Sequence, residues 1–220
     1  MDTNTQKNTA EDTLVILIHG FCRGAKDMQY WKKHLQNDFP HILTPDLPTT
    51  YSSFETCLQV LTETIRDAHP EKYKNLYFAG HSMGGLLARE FLAANKPSNA
   101  KLLLCAGTPH YGSPLADIAL LIPFAGRIWK ALHALKLSAR KKLTTPGIPH
   151  LKTALIASTN NGHWPGKLFL SRDSDGLVEK TSALAGDAEY TAMTHAAHVD
   201  MQFDFETAEL IRKFFTEGKL

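Results

Sequence analysis

The chain has 220 residues, of which 43% are hydrophobic and 21% are charged, values that are ordinary for a globular domain with a large core. A formal net charge of +2 excludes a general attraction to nucleic acid or to anionic membranes. The first 13 residues are polar and lack the apolar core of a signal peptide, and no apolar window is long and uncharged enough to span a bilayer. We therefore expect a soluble, cytoplasmic protein with a flexible leader (1–12), a single domain (13–220) and reduced thiols, since its three cysteines cannot all pair.

Short apolar runs recur along the chain and are typical of strands that are buried on both faces of a parallel sheet. They cover residues 13–21, 41–44, 75–80, 100–107, 151–159 and 189–194. Apolar residues with helical spacing lie at 27–38, 53–69, 83–96 and 205–218. Strands that alternate with helices indicate βαβ crossovers, so we predict an α/β fold with a mostly parallel central sheet of about six strands flanked by helices.

Residues 115–150 do not follow this alternation. They contain one or two amphipathic helical patterns that prolines and glycines interrupt. Because ligands of open α/β sheets bind at the carboxyl edge of the strands, we expect this segment to be a small lid or cap insertion over that edge.

The sequence GHSMG at 80–84 fits the pattern G-x-S-x-G and lies between a predicted strand and a predicted helix. A nucleophile elbow needs this setting, because its sharp turn lifts the serine hydroxyl above the sheet. A side chain at position 80 or 84 is expected to collide with the neighbouring strand or helix. The alternative is that Ser82 only caps the helix in a tight turn.

A nucleophilic serine needs an oxyanion hole. The HGF segment at 19–21 follows the first predicted strand, where one oxyanion donor is expected. We therefore predict that the N–H groups of Phe21 and Met83 are the two donors. His19 is interpreted as a buried hydrogen-bonding brace of this loop.

The serine also needs a base and a residue that orients the base, and in this kind of fold the acid and then the histidine follow the serine along the chain. Asp175 precedes a glycine in a turn beyond the fifth strand and is the predicted acid, with Asp173 as the alternative. His198 lies after the last strand and is the predicted base, with His195 as the alternative.

Metal and nucleotide chemistry have no support in the sequence. The eleven histidines are scattered, and there is neither an HExxH pattern nor a cysteine cluster. There is also no GxGxxG after the first strand and no P-loop. We predict no metal and no other cofactor.

Five segments, taken in order, resemble the α/β-hydrolase superfamily, and within it the small bacterial lipase- or esterase-like members. They are ILIHGFCRGAKDM, FAGHSMGGLLAR, LLLCAGTPHYGSPLAD, SDGLV and AHVDMQFDFETAELIRKFF, and the resemblance covers nearly the whole chain from residue 13. It implies an α/β-hydrolase fold in which Ser82 is the nucleophile, Asp175 the acid, His198 the base, and Phe21 and Met83 the oxyanion donors.

The expected function is that of a serine hydrolase which cleaves a small-molecule ester or a lipid-like acyl substrate through an acyl-enzyme. Large apolar residues in and near the insertion form the predicted acyl pocket, although core packing explains them equally well: Tyr111, Leu120, Phe124, Trp129 and Trp164. A thioesterase, an amidase or an acyltransferase with the same residues stays open. So do a non-catalytic ligand-binding protein on this fold and a scaffold that docks a partner through 115–137, whose signature would be an exposed apolar patch. The sequence carries no signal for the oligomeric state.

Overall fold

The computed structural model of the chain describes residues 10–162, 164 and 166–220. Its centre is a sheet of six parallel strands, which are Thr13–Ile18 (β1), His41–Leu43 (β2), Asn75–His81 (β3), Ala100–Ala106 (β4), Lys152–Ser158 (β5) and Tyr190–Thr194 (β6). Their order in the sheet is β2-β1-β3-β4-β5-β6. The predicted six-stranded parallel sheet is therefore confirmed. The first strand is shorter than predicted, because residues 19–21 leave the sheet and form a loop.

The α-helices are Gln29–Leu35 (α1), Phe54–Asp67 (α2), Met83–Asn95 (α3), Pro114–Ala119 (α4), Ala125–Ile128 (α5), Gly166–Phe169 (α6), Lys180–Ala183 (α7) and Phe205–Glu217 (α8). Two of the long helices begin after a residue whose side chain caps them. The side chain of Ser53 accepts a hydrogen bond from the N–H of Thr56, and that of Asp204 accepts one from the N–H of Thr207.

The sheet has one apolar layer on each face because successive side chains of a strand point to opposite faces. Leu14, Ile16 and Ile18 of β1 join the core that contains α2 and α3. Val15 and Leu17 join the core that contains α1 and α8. All six residues of β1 are buried, which is why the run reads as continuously apolar.

The register of the strands brings their carboxyl ends to one edge. Ile18 pairs with Gly80, His81 with Ala106, and Ser158 with Thr194. The segments that follow β1, β3, β4, β5 and β6 therefore leave the sheet side by side, although up to about 180 residues of sequence separate them.

The insertion at 115–150 folds into three short helical pieces rather than one or two. They are α4, α5 and a 3₁₀-helix, Lys130–Leu135, and residues of α4 and of the 3₁₀-helix pack on the sheet face that also carries α2 and α3. Of the predicted leader, residues 1–9 lie outside the described part, and the carbonyl of Asp12 accepts hydrogen bonds from the N–H groups of Lys74 and Asn75. Each helix in the described residues is too short or too polar to cross a lipid bilayer.

Candidate active site

Ser82 lies in a strained turn between the end of β3 and the start of α3. Its backbone has φ 54° and ψ −124°, a region that residues with a side chain rarely occupy. A Cβ atom on Gly84 would overlap the carbonyl of Ile18, and one on Gly80 would overlap the backbone of Gly85. The predicted collisions at positions 80 and 84 are therefore confirmed, and the two glycines allow the helix to approach the strands closely enough to form the turn.

The hydroxyl of Ser82 does not cap α3. Its side chain makes no capping hydrogen bond, and its Oγ lies 2.9 Å from Nε2 of His198. The alternative of a helix-capping serine is wrong, because the hydroxyl is turned away from the first N–H groups of the helix.

His198 lies between Ser82 and Asp175 and contacts both. Its Nδ1 is 2.7 Å from Oδ2 of Asp175, and all three side chains are buried. Oδ2 of a carboxylate accepts, so Nδ1 carries the proton and Nε2 presents its lone pair to the serine hydroxyl.

Four hydrogen bonds to the carboxylate and the carbonyl of Asp175 hold it in place. Besides His198, its carboxylate accepts hydrogen bonds from the N–H groups of Leu177 (3.0 Å) and Val178 (2.7 Å) through Oδ1. Its carbonyl accepts the N–H of His198 at 2.9 Å. The acid and the histidine are therefore joined through the main chain as well as through their side chains.

The two alternative residues lie outside this cluster. The side chain of His195 is 97% exposed and pairs with Glu206. That of Asp173 is 70% exposed and lies 3.7 Å from Lys180. His195 and Asp173 are therefore surface residues outside the cluster.

The predicted oxyanion donors flank the serine. Met83 is the first residue of α3, so its N–H has no acceptor within the helix. A Cβ atom on Gly20 would lie 3.0 Å from Cβ of Ser82, which shows how closely the loop after β1 approaches the serine, and the next residue, Phe21, lines the cavity described below.

His19 braces this loop as predicted. It is fully buried, its Nδ1 donates to the carbonyl of Gly20 at 3.1 Å, and its Nε2 accepts the N–H of Leu47 at 3.0 Å. Burial lowers the pKa of His19, which favours the neutral ring that this pair of bonds requires.

Two further residues, which the sequence analysis missed, fix the turn that carries His198. Nε2 of His81 donates to the carbonyl of His198 at 2.9 Å, and Nε1 of Trp31 donates to the carbonyl of Met201 at 3.1 Å. Both side chains are buried. Burial is the main cause that holds the pKa of His81 well below its ordinary value, and the nearby His198 lowers it further. His81 is therefore a neutral donor. Nothing in the local sequence indicates these bonds, because 117 and 170 residues separate the partners.

A cavity of about 410 Å³ opens beside Ser82 and His198. Its walls are mainly apolar and come from the loop after β1, the insertion and the segment after Asp175, and they include Phe21, Leu115, Ala116, Leu132, Leu135, Leu177, Val178 and Val199. None of the five predicted pocket residues is among those that line it: Tyr111, Leu120, Phe124, Trp129 and Trp164. That prediction is corrected, since Tyr111, Phe124 and Trp164 are exposed, while Leu120 and Trp129 pack against the core.

A buried histidine lies in the segment that follows β4. His110 is buried and has no hydrogen-bond partner for either ring nitrogen among the described residues. Burial, with the charges of Arg89 and Arg140, lowers the pKa of His110 to about 3. No group of three His, Cys, Asp or Glu side chains suited to a metal ion occurs within the described part of the chain.

The comparisons with known proteins agree with this architecture. The chain resembles a Bacillus licheniformis lipase in its mature form, with 16% identity, a TM-score of 0.71 and coverage of 92% of this chain and 90% of the lipase. It also resembles a metagenomic carboxyl esterase (15% identity, TM-score 0.67, 93% and 73% covered) and a thioesterase of prodiginine biosynthesis from Streptomyces coelicolor (15%, 0.59, 94% and 86%). At these identities the likeness shows the fold alone.

The sequence comparisons are more specific about the family. A search of curated proteins finds no match to this chain. The model of the alpha/beta hydrolase family matches residues 15–212, which is most of the chain. This chain belongs to the alpha/beta hydrolase family.

Proposed function

We propose that this protein is a serine hydrolase that cleaves carboxylic esters through an acyl-enzyme. The observation that carries the proposal is the pair of hydrogen bonds that joins Ser82 to His198 (2.9 Å) and His198 to Asp175 (2.7 Å) at the wall of an apolar cavity. A hydroxyl becomes a useful nucleophile when a neighbouring base can accept its proton during attack.

In the proposed acylation step, Oγ of Ser82 bonds to the ester carbonyl carbon while Nε2 of His198 takes the hydroxyl proton. The carbonyl electron pair moves to its oxygen, which accepts hydrogen bonds from the N–H groups of Phe21 and Met83. Asp175 stabilises the imidazolium that forms. The carbon–oxygen bond then breaks, and the leaving alkoxide takes the proton from Nε2 and departs as an alcohol.

Deacylation repeats these steps with water in place of the serine hydroxyl. His198 takes a proton from the attacking water, and the second tetrahedral intermediate collapses by returning that proton to Oγ of Ser82. The carboxylic acid is released and the serine is restored. The amino-terminal end of α3 adds its positive dipole end at the oxyanion in both halves of the reaction.

The apolar walls of the cavity suit the acyl part of a substrate better than a charged or strongly polar group. The alkoxide, thiolate or amine leaving group would be handled by the same His198 proton. The likeness to a lipase and a carboxyl esterase favours an oxygen ester, and the likeness to a thioesterase makes a thioester the second candidate.

The test is hydrolysis of p-nitrophenyl esters from acetyl to palmitoyl, with the matching acyl thioesters assayed in parallel. Ser82→Ala is expected to reduce turnover by several orders of magnitude, on the order of 10⁴- to 10⁶-fold. A fluorophosphonate should label wild type at one site and should not label the variant. If wild type is inert towards all these substrates and unlabelled, the hydrolase proposal is wrong and the ligand-binding alternative replaces it.

A further inference from the structure

The tip of the insertion exposes large apolar side chains that no part of the described chain covers. We define the apolar tip as residues 121–124, which connect α4 to α5. Leu121 is 80% exposed, Ile122 57% and Phe124 67%, and Pro123 between them is exposed as well. Phe124, the residue immediately before α5, has a left-handed backbone (φ 66°). A run of four exposed apolar residues is unusual for a globular surface and marks an interaction site.

The charged residues within the segment 121–130 are both positive. Arg127 and Lys130 are exposed, and there is no acidic residue between 121 and 130. The guanidinium of Arg127 lies 5.8 Å from the centre of the Phe124 ring, so apolar and cationic groups share one surface. The whole segment 114–150 contains six Lys or Arg and one Asp, a formal +5, whereas the rest of the chain carries −3 of the total of +2.

An apolar wedge with a cationic margin matches an anionic lipid bilayer, where apolar side chains enter the acyl boundary and cations meet the headgroups. A second copy of the chain fits less well. A symmetric contact through the apolar tip would bring Arg127 and Lys130 of both copies to the same interface, where like charges repel.

Along the chain, the apolar tip lies between residues that line the cavity. Leu115 and Ala116 come from α4, immediately before the tip, and Leu132 and Leu135 come from the 3₁₀-helix that follows α5. The segment that carries the apolar tip therefore also supplies part of the cavity wall.

We propose that the apolar tip, with Arg127 and Lys130, docks the protein on an anionic lipid bilayer, and that the substrate is an ester lipid of that bilayer. The docking rests on the surface alone. The second statement rests on the proposed function.

The experiment measures binding of the Ser82→Ala protein to vesicles, so that no lipid is hydrolysed during the measurement. Sedimentation with phosphatidylcholine vesicles containing 30% phosphatidylglycerol should show binding that weakens as salt is raised, and pure phosphatidylcholine should bind much less. Replacing both Arg127 and Lys130 by Gln should weaken binding about thirtyfold, because a Lys or Arg at an anionic surface contributes roughly fivefold. Replacing Leu121 and Phe124 by Ser should weaken it at least about tenfold.

Matched controls remove the same groups elsewhere. Lys72→Gln with Lys96→Gln removes two exposed charges outside the insertion, and Phe203→Ser removes an exposed ring from another surface. These variants should bind vesicles within threefold of the parent. Equal losses in the controls, equal binding to neutral vesicles, or no binding at all would overturn the docking proposal.

Two further outcomes separate the alternatives. Concentration-dependent self-association in analytical ultracentrifugation that disappears with the Leu121 and Phe124 changes would assign the apolar tip to a second copy and refute the bilayer. If Ser82→Ala binds vesicles but wild type hydrolyses no ester, the docking stands and the proposed function fails. If wild type hydrolyses p-nitrophenyl esters but no lipid of the bound vesicle, the catalytic proposal stands and the lipid substrate is wrong.

Discussion

Replacing Asp175 by Asn tests the candidate site most directly, because it replaces one carboxylate oxygen by an NH₂ group and preserves the side chain's shape. The carboxylate accepts on both sides, from Nδ1 of His198 and from the N–H groups of Leu177 and Val178. An asparagine has one acceptor and one donor end. In either orientation its NH₂ group therefore faces a group that also donates.

The favoured orientation keeps the amide oxygen on the two backbone N–H groups, since reversing it would lose two hydrogen bonds for one. The NH₂ group then faces Nδ1 of His198, which must accept, so the proton moves to Nε2. The Nε2–H points at Oγ of Ser82 and has no lone pair to receive the serine proton. The base is lost although every residue stays in place, and a change of tautomer of this kind lowers kcat by about 10⁴-fold, or about 5.4 kcal/mol.

The assay is kcat and KM with the best p-nitrophenyl ester, accompanied by thermal unfolding to show that the variant folds. The matched control is Asp173→Asn, which makes the same chemical change two residues away on an exposed side chain. That control should keep activity within twofold. If Asp175→Asn retains more than a tenth of wild-type kcat, or if the two variants lose activity equally, Asp175 does not orient the base.

Three other substitutions test the surroundings of the site. A Cβ on Gly85 would overlap the hydroxyl of Thr108 and lie 3.0 Å from its Cβ and Cγ2, so Gly85→Ala should lower the free energy of unfolding by about 1–3 kcal/mol. Adding Thr108→Ala should recover part of that loss in urea unfolding, whereas additive losses would contradict the steric reason. His81→Phe removes the donor to the carbonyl of His198 and should lower kcat by up to about 100-fold with little change in KM. His81→Gln keeps a donor and should recover part of kcat, so equal kcat values in the two variants would argue against a role for this hydrogen bond. Burial lowers the pKa of His110 in the folded protein to about 3, below its ordinary value of 6.5. Between these two pH values the unfolded chain therefore binds a proton that the folded protein does not, and the stabilisation that is present above pH 6.5 is lost as the pH falls. Between pH 7 and 5 this one group should cost about 2 kcal/mol, and His110→Leu should reduce the pH dependence of urea unfolding by that amount; an unchanged slope would show that the ring is not held neutral.

The strands and the candidate catalytic residues were predictable because each depends on a strong local pattern. Strands buried on both faces are continuous apolar runs, and the elbow is a set of glycines whose spacing follows from a close approach of helix and strand. Because the acid and then the histidine follow the serine along the chain, the sequence leaves two candidate residues for the acid and two for the base. Asp175 and His198 are buried whereas Asp173 and His195 are exposed, and the sequence does not indicate this because burial depends on how distant segments pack.

The walls of the cavity were not predictable, because the pieces of the insertion are too short to define a face. Helix α4 has six residues and α5 has four, so neither completes two turns, and apolar spacing does not separate the inward side from the outward side. Leu115 faces the cavity and Leu121 faces solvent, although both are leucines in the same apolar run. The bonds from His81 and Trp31 were hidden for another reason: they join residues far apart in sequence.

The backbone of Ser82 has a consequence for how this protein can change over time. At φ 54° and ψ −124°, a residue with a side chain lowers the stability of the fold by on the order of 1–3 kcal/mol, whereas a glycine adopts these angles without that strain. A lineage that no longer needed the hydroxyl would therefore gain stability by the single replacement Ser82→Gly. The same substitution at this position removes the hydroxyl and relieves the backbone strain. A serine that is kept at this angle is therefore itself an indication that its hydroxyl is in use.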